Sequence, residues 1–164
     1  MKYLVVLLCL ALGFFLGSPL FKKEGVESKI QTENHLEPKL LEIIKTPTRV
    51  KFTRVSPTGF VTGGSGKEYL QQNIPIELTA FQTDRLQKLL LASENFIWNR
   101  TKRGLFLPTS VFYFEKGEKG VTVLISAPLN QIQIIEDQNR VILDYDPMQL
   151  ALDEYIDELT EDLK

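Results

Sequence analysis

Apolar and polar residues alternate along four short segments in the second half of the chain, and we predict each as a β-strand. These segments cover residues 111–115, 120–126, 131–136 and 140–144. The connections between them are three or four residues long. Connections that short join antiparallel neighbours, because a parallel return needs about a dozen residues or more. The pattern therefore predicts a four-stranded antiparallel meander over about residues 109–145.

The stretch before the meander predicts further extended structure. Apolar and basic residues alternate over residues 48–55, which is typical of a half-buried strand. A glycine-rich loop is expected next, over residues 56–66. Pro75 weakens the extended segment predicted at residues 74–78, because proline cannot donate to a strand ladder.

Two segments have the periodicity of amphipathic helices. The first covers about residues 80–92, with Thr79 or Thr83 as its cap and leucines at three- and four-residue spacing. The second covers residues 147–162, with Asp146 as its predicted N-cap. Its apolar stripe must pack against another apolar surface, and one face of the meander is the available partner. The predicted fold class is α+β, in which the meander and an N-terminal strand pack against both helices.

The first 21 residues contain the most apolar stretch of the chain. Residues 3–21 carry no charge, and at about 1.5 Å per residue they span about 28 Å, close to the roughly 30 Å core of a bilayer. We therefore expect residues 1–21 to be a transmembrane anchor that contacts the lipid bilayer through residues 3–21. The alternative is a secretory signal that is cleaved, which also begins with a basic residue and an apolar run. An A-x-A-like cleavage site is missing, which favours the anchor.

The residues in and around this segment bear on orientation and self-association. Lys2 precedes the segment and three lysines follow it, a count that alone favours a cytoplasmic body. A very short basic start before an apolar run, however, resembles a signal that exports the rest of the chain, and we expect an extracytoplasmic body. Gly13 and Gly17 have the GxxxG spacing that lets two helices approach closely, a weak indication of a homodimer.

Mixed charges and two prolines characterise residues 22–47, which we interpret as a stalk. One short helix is expected within it, near residues 38–44, and its apolar residues could dock on the domain that follows. The remaining residues, 48–164, are numerous enough for a single α+β domain with its own core. The only cysteine, Cys9, and the only histidine, His35, both lie outside that domain.

This composition excludes several classes of chemistry. The domain cannot assemble a Cys–His pair or a Ser–His–Asp triad. The glycine-rich loop departs from a phosphate-binding loop, because Val61 stands at the first glycine position and Glu68 stands where Ser or Thr is needed. A net charge of −2 means that the chain as a whole is not a polycation that would bind nucleic acid. We predict no catalytic residue, cofactor, metal site or nucleic-acid partner.

Acidic charge is concentrated at the C-terminal end. Residues 144–164 carry eight acidic residues and one lysine, a net charge of −7, whereas residues 48–143 have a net charge of +4. Four of these acidic residues mark the helix face opposite the apolar stripe: Glu154, Asp157, Glu158 and Glu161. The face is either a solvated surface or a docking surface for a basic partner.

A second candidate surface lies between the first predicted helix and the meander. It combines one indole with three cations: Trp98, Arg100, Lys102 and Arg103. Indole favours interfaces and cations attract anionic groups, so the patch suits a lipid headgroup layer or an anionic partner. The alternative is a turn with buried aromatic side chains and solvated cations.

The order of features from Gln82 onward resembles a group of small secreted or membrane-attached bacterial proteins. Their pattern is a helix, a Cys-x-Phe-x-Pro segment, a hairpin and a Cys-x-x-Cys motif, and residues 82–91, 106–108 and 111–125 correspond to it over about a third of the chain. Other residues occupy the three cysteine positions: Gly104, Ser126 and Leu129. No metal or redox role therefore carries over. The resemblance implies a bacterial envelope protein, and the group has no assigned activity to transfer.

Two functions from different classes fit these patterns. The first is a membrane-tethered envelope protein that acts as a non-catalytic interaction or accessory module through the acidic helix face and the basic patch. The alternative is an envelope hydrolase or inhibitor that uses a carboxylate pair in a cleft, with Glu115 or Asp144 as candidates. A deep pocket lined by close carboxylates would favour the alternative, and a shallow surface would favour the first.

Overall fold

The described part of the chain consists of three helices and seven strands. The structure is a computed structural model that describes residues 36–63, 66–100 and 102–161. The helices are α1 (Pro38–Lys45), α2 (Ala80–Leu91) and α3 (Gln149–Glu161). The strands are β1 (Arg49–Gly63), β2 (Gly66–Gln71), β3 (Ile76–Glu77), β4 (Ser110–Lys116), β5 (Lys119–Ser126), β6 (Gln131–Glu136) and β7 (Asn139–Asp144).

All seven strands belong to one antiparallel sheet in the order β2-β1-β4-β5-β6-β7, with β3 also paired to β1. The α+β class is confirmed, and strands β4 to β7 follow one another across the sheet as a meander. Turns of two residues connect β4 to β5 and β6 to β7. Their first residues, Gly117 and Asp137, have φ values of 61° and 52°, a conformation that tight hairpin turns use.

The prediction of a glycine-rich loop over residues 56–66 is wrong for residues 56–63, because these residues belong to β1. β1 continues to Gly63 and forms an antiparallel hairpin with β2, and the register shifts between Val55 and Phe60. Glycine lowers the strand preference of a segment, but it does not prevent ladder pairing next to an irregularity. Local composition therefore underestimated the length of this strand.

Alternation along the strands separates the two faces of the sheet. One row across the sheet runs through Phe52, Phe112, Val123, Ile134 and Val141. The first four are fully buried, in one cluster with buried residues of all three helices. The rings of Phe52 and Phe112 lie 5.0 Å apart, and that of Phe112 stacks 6.2 Å from Tyr155 of α3. The three helices therefore pack against this face.

Helix α1 contributes to the same core, although the sequence assigned residues 22–47 to a stalk. Its four apolar residues are all buried: Leu40, Leu41, Ile43 and Ile44. The ammonium of Lys116, on β4, donates to Glu42 and to the Thr46 hydroxyl. The packed unit thus includes residues 36–47 together with the described residues of the domain predicted over 48–164.

The two later helices begin in different ways. Of the two predicted caps, Thr79 is the one that caps α2, and it does so through a reciprocal capping box with Gln82. Asp146 does not cap α3, and this prediction is wrong. Residues Asp146–Met148 form a 3-10 turn before α3, and the Asp146 carboxylate accepts hydrogen bonds from the side chains of Lys102 and Asn130. A partner distant in sequence replaces the local cap.

The predicted membrane segment lies outside the described residues, as do Gly13 and Gly17 within it. Among the helices of residues 36–161 that the structure describes, none combines the length and the apolar character that a bilayer crossing requires.

We predict that Leu41→Ala destabilises the fold by about 2–5 kcal/mol, because it removes a buried side chain from the core. Leu150→Ala is the matched control, since Leu150 is also helical but 78% exposed, and we expect a change within about 0.5 kcal/mol. The free energy of unfolding from urea titration measures both. Equal, small effects would show that α1 is not part of the cooperative unit.

Candidate interaction surfaces

Trp98 anchors its loop to the core instead of presenting a free indole. Its ring N–H donates to the Ser93 carbonyl at 2.9 Å, and its ring meets Phe96 edge to face at 5.4 Å. The side chain is half-buried and packs against the main hydrophobic cluster. Of the alternatives for this patch, the structure favours packed aromatic side chains at Trp98.

Lys102 is directed inward, towards two carboxylates. Its Nζ lies 3.4 Å from Oδ1 of Asp144, donates to Oδ1 of Asp146, and donates to the Leu129 carbonyl at 2.9 Å. The Asp144 side chain is completely buried at the end of β7. A buried carboxylate is costly without a counter-ion, and among the described residues Lys102 is the cation within ion-pair distance of it. Lys102 is therefore committed to a structural pair.

The contacts of Lys102 and Asp146 determine how these two groups titrate. Burial opposes the charged form of Lys102, but the interactions with Asp146 and Asp144 outweigh it and raise the pKa of its ammonium. The hydrogen bond from Lys102, assisted by one from Asn130 at 2.9 Å, lowers the pKa of Asp146. Both groups are therefore charged at neutral pH, and the ion pair is fully formed there.

The two arginines of the patch remain accessible. Arg100 is 62% exposed, with its Nη2 3.6 Å from Oδ2 of Asp146. Arg103 is exposed and has no ion pair with any described residue. The basic patch therefore consists of Arg100 and Arg103, placed before and after the Lys102 anchor along the chain.

The acidic face of α3 also contains both paired and unpaired charges. Glu158 pairs with Arg85 of α2, whose guanidinium also lies 5.3 Å from the centre of the Tyr155 ring. The hydrogen bond from Arg85 lowers the pKa of Glu158. The other predicted contact residues, Glu154, Asp157 and Glu161, are exposed and form no hydrogen bond or ion pair with the described residues. We call these three residues the open acidic face.

The carboxylates named for a hydrolase or an inhibitor do not converge. Glu115 accepts hydrogen bonds from Arg49 at 2.7 Å and from Lys51 at 2.8 Å. Glu115 pairs across the sheet with Gly120 at the start of β5. Asp144 lies in the same cross-strand row as Ser126, at the other end of β5. Six residues of strand separate these rows, roughly 20 Å. In the described part of the chain, no group of three or more His, Cys, Asp or Glu side chains could hold a metal ion.

Sequence reasoning missed how these groups pair. It placed Lys102 on an exposed patch and Asp146 in a helix cap, whereas the structure brings the two side chains together. Asn130 supports the pair from a left-handed conformation at φ 49°, just after the short turn that follows β5. The only signal in the sequence was the coincidence of a basic loop with the Asp144/Asp146 pair, and it does not specify a contact.

Comparison with known proteins gives no match to a family model, to a curated protein or to a solved structure. The resemblance to small bacterial envelope proteins therefore stays a prediction. The structure does bring two of the three substituted cysteine positions together, because a Cβ added to Gly104 would lie 2.9 Å from Cδ2 of Leu129.

We predict that Asp146→Asn lowers the free energy of unfolding by about 1–3 kcal/mol at pH 7, because it removes a charged hydrogen-bond acceptor from Lys102. The pKa of Asp146 is lower in the folded state than in the unfolded state. Its contribution is therefore present above about pH 4 and is lost as the pH falls through the folded-state value. The difference between wild type and variant, measured by urea unfolding at a series of pH values, should shrink in acid.

The control for this experiment is Asp157→Asn, which removes the same charge from an exposed position without a described partner. It should change stability little at any pH. A pH-independent difference for Asp146→Asn would contradict the assigned ion pair.

Proposed function

We propose that this chain is a membrane-tethered interaction module that performs no catalysis itself. Residues 3–21 form the transmembrane or signal helix, and the packed unit lies on the extracytoplasmic side. The uncharged length of residues 3–21 supports the tether. Within residues 48–164, the lack of histidine and cysteine supports a binding role.

The open acidic face of α3 carries the proposal. Other acidic groups nearby have cationic partners, as Asp144 and Asp146 have Lys102, and Glu158 has Arg85. Glu154, Asp157 and Glu161 lie at three- and four-residue spacing on one helix, which places them on adjacent turns of one surface. A surface of unpaired like charges adds little to folding, and it is suited to attract a partner of opposite charge.

The partner that fits this face is a basic protein segment. Exposed charges at an interface act mainly on the rate of association and on its salt dependence. Their attraction acts over about 10 Å at 0.1 M salt. A tether that confines both partners to one membrane surface raises their effective concentration, so modest affinity is sufficient.

We predict that the triple variant Glu154→Lys, Asp157→Lys, Glu161→Lys abolishes capture of this partner. The measurement is cross-linking of the full-length chain in native membranes, followed by mass spectrometry. The wild-type chain should capture a protein with a basic segment, and capture should decrease as salt rises. All three residues are exposed, so the variant should fold normally.

The control is Glu94→Lys with Glu118→Lys, which reverses two exposed acidic residues outside α3. This variant should capture the same protein as the wild type. Capture that is insensitive to salt and unchanged by the triple reversal would contradict the proposal.

A further inference from the structure

Strand β7 forms one of the two outer edges of the sheet, and its outer side is open over most of its length. On the inner side it pairs with β6 from Asn139 to Asp144 without interruption. On the outer side its backbone has one hydrogen bond to the described residues, from the Ile97 N–H to the Asp144 carbonyl at 2.9 Å. A turn follows at residues 98–99, so this contact does not continue along β7.

The Ile97 contact shows which backbone groups of β7 point outward. In an antiparallel strand, the N–H and C=O of every second residue point to the same side. The Asp144 carbonyl points outward to Ile97, so the N–H and C=O of Ile142 and of Arg140 point outward as well. In the described part of the chain these four groups have no hydrogen-bond partner.

Two features that protect edge strands in many proteins, a proline and a bulge, are missing from β7. The other outer strand, β2, by contrast lies beside the register shift between Val55 and Phe60. Val141 is half-buried against the main hydrophobic cluster, and Ile142, on the opposite face, is 36% exposed. A strand added at this edge would therefore pair free backbone groups and cover apolar side chains.

We propose that the open edge of β7 pairs with β7 of a second copy of this chain, antiparallel, about a two-fold axis at Val141. Arg140 of each copy then lies opposite Ile142 of the other, and the outward backbone groups of the two copies form four hydrogen bonds. A register with Ile142 opposite itself would instead bring Arg140 opposite Asp144, where Ile97 already lies.

The length of the open stretch fits a second copy. It begins at Asn139, directly after the turn, and ends at Leu143, directly before the Ile97 contact. A longer strand would run into Ile97. In the proposed register, β7 of a second copy begins at its own turn at this point, so each strand is as long as the edge that it covers.

The place where the described chain begins also favours a second copy. The Glu37 carboxylate lies 3.4 Å from Asn139 Nδ2, so the chain enters the fold beside the start of β7. The predicted membrane segment precedes this point and has the Gly13–Gly17 spacing. Association of two such segments would raise the local concentration of one β7 edge near the other. The interface contains no residue of the open acidic face, so it stands or falls independently of the basic partner.

Disulfide cross-linking of the full-length chain in membranes tests this pairing. Cys9→Ala removes the only cysteine, and Val141→Cys then places one thiol of each copy at the two-fold axis. Residues opposite each other at such a position have Cα atoms about 4.5 Å apart, within the range of about 4.4–6.8 Å that a disulfide spans. Mild oxidation should therefore give a covalent dimer on a non-reducing gel. Lys119→Cys in the same background is the control and should stay monomeric, because Lys119 is exposed but its strand, β5, has neighbours on both sides.

Two matched variants at Ile142 test the register. Added to Val141→Cys, Ile142→Glu places a carboxylate opposite Arg140 of the other copy and should maintain or increase cross-linking. Ile142→Lys places a like charge there twice in each dimer and should lower the dimer fraction several-fold. Both variants replace the same exposed side chain, and urea titration checks that both fold.

Co-expression of Arg140→Cys chains with Ile142→Cys chains tests the same register without altering a half-buried residue. The mixture should cross-link more than either variant alone, because the two positions lie opposite each other. Absence of a dimer in these experiments, or cross-linking that does not favour Ile142→Glu over Ile142→Lys, would overturn the proposal.

Discussion

The described structure depends on covering one apolar face of its sheet. The alternation along the strands puts Phe52, Phe112 and Phe114 on that face, and burial of each such side chain contributes about 1.5–3 kcal/mol. The sheet alone would leave these rings in water. Helices α1, α2 and α3 cover them together, so the position of every exposed charge on these helices follows from the need to bury their apolar sides.

The next constraint is which acidic side chains form ion pairs within the fold. Asp144 is taken out of water by its position at the end of β7, and Lys102 compensates its charge. That pairing removes Lys102 from the surface, whereas its neighbour Arg103 stays exposed. On α3, Arg85 forms an ion pair with Glu158. The residues of the open acidic face remain exposed to solvent. Internal charge pairing thus determines which charges remain available for partners.

Several elements could be predicted from sequence because their signals are local. Period-two alternation and short connections specify β4 to β7, and the leucine spacing with a threonine cap specifies α2. The packing of α1 was less clear, since four apolar residues inside a charged segment do not reveal what they contact. The continuation of β1 through a glycine-rich stretch depends on pairing with β2, which local composition does not encode.

The candidate surfaces were harder to predict than the fold, because the contacts that define them join residues that are distant in sequence. Arg100 and Arg103 are exposed as expected, but Lys102 lies next to them in sequence and faces the opposite way. Lys102 and Asp146 are 44 residues apart, and only the folded sheet brings them together. Charge patterns identify which residues are ionised, whereas three-dimensional contacts decide which of them are already neutralised.

Extraction of cell membranes with alkaline carbonate examines the tether on which the functional proposals rest. The full-length chain should remain in the membrane pellet, and a variant that lacks residues 3–21 should be released. Release of the intact, unprocessed full-length chain into the supernatant would contradict a bilayer anchor and remove the basis for a membrane-tethered function.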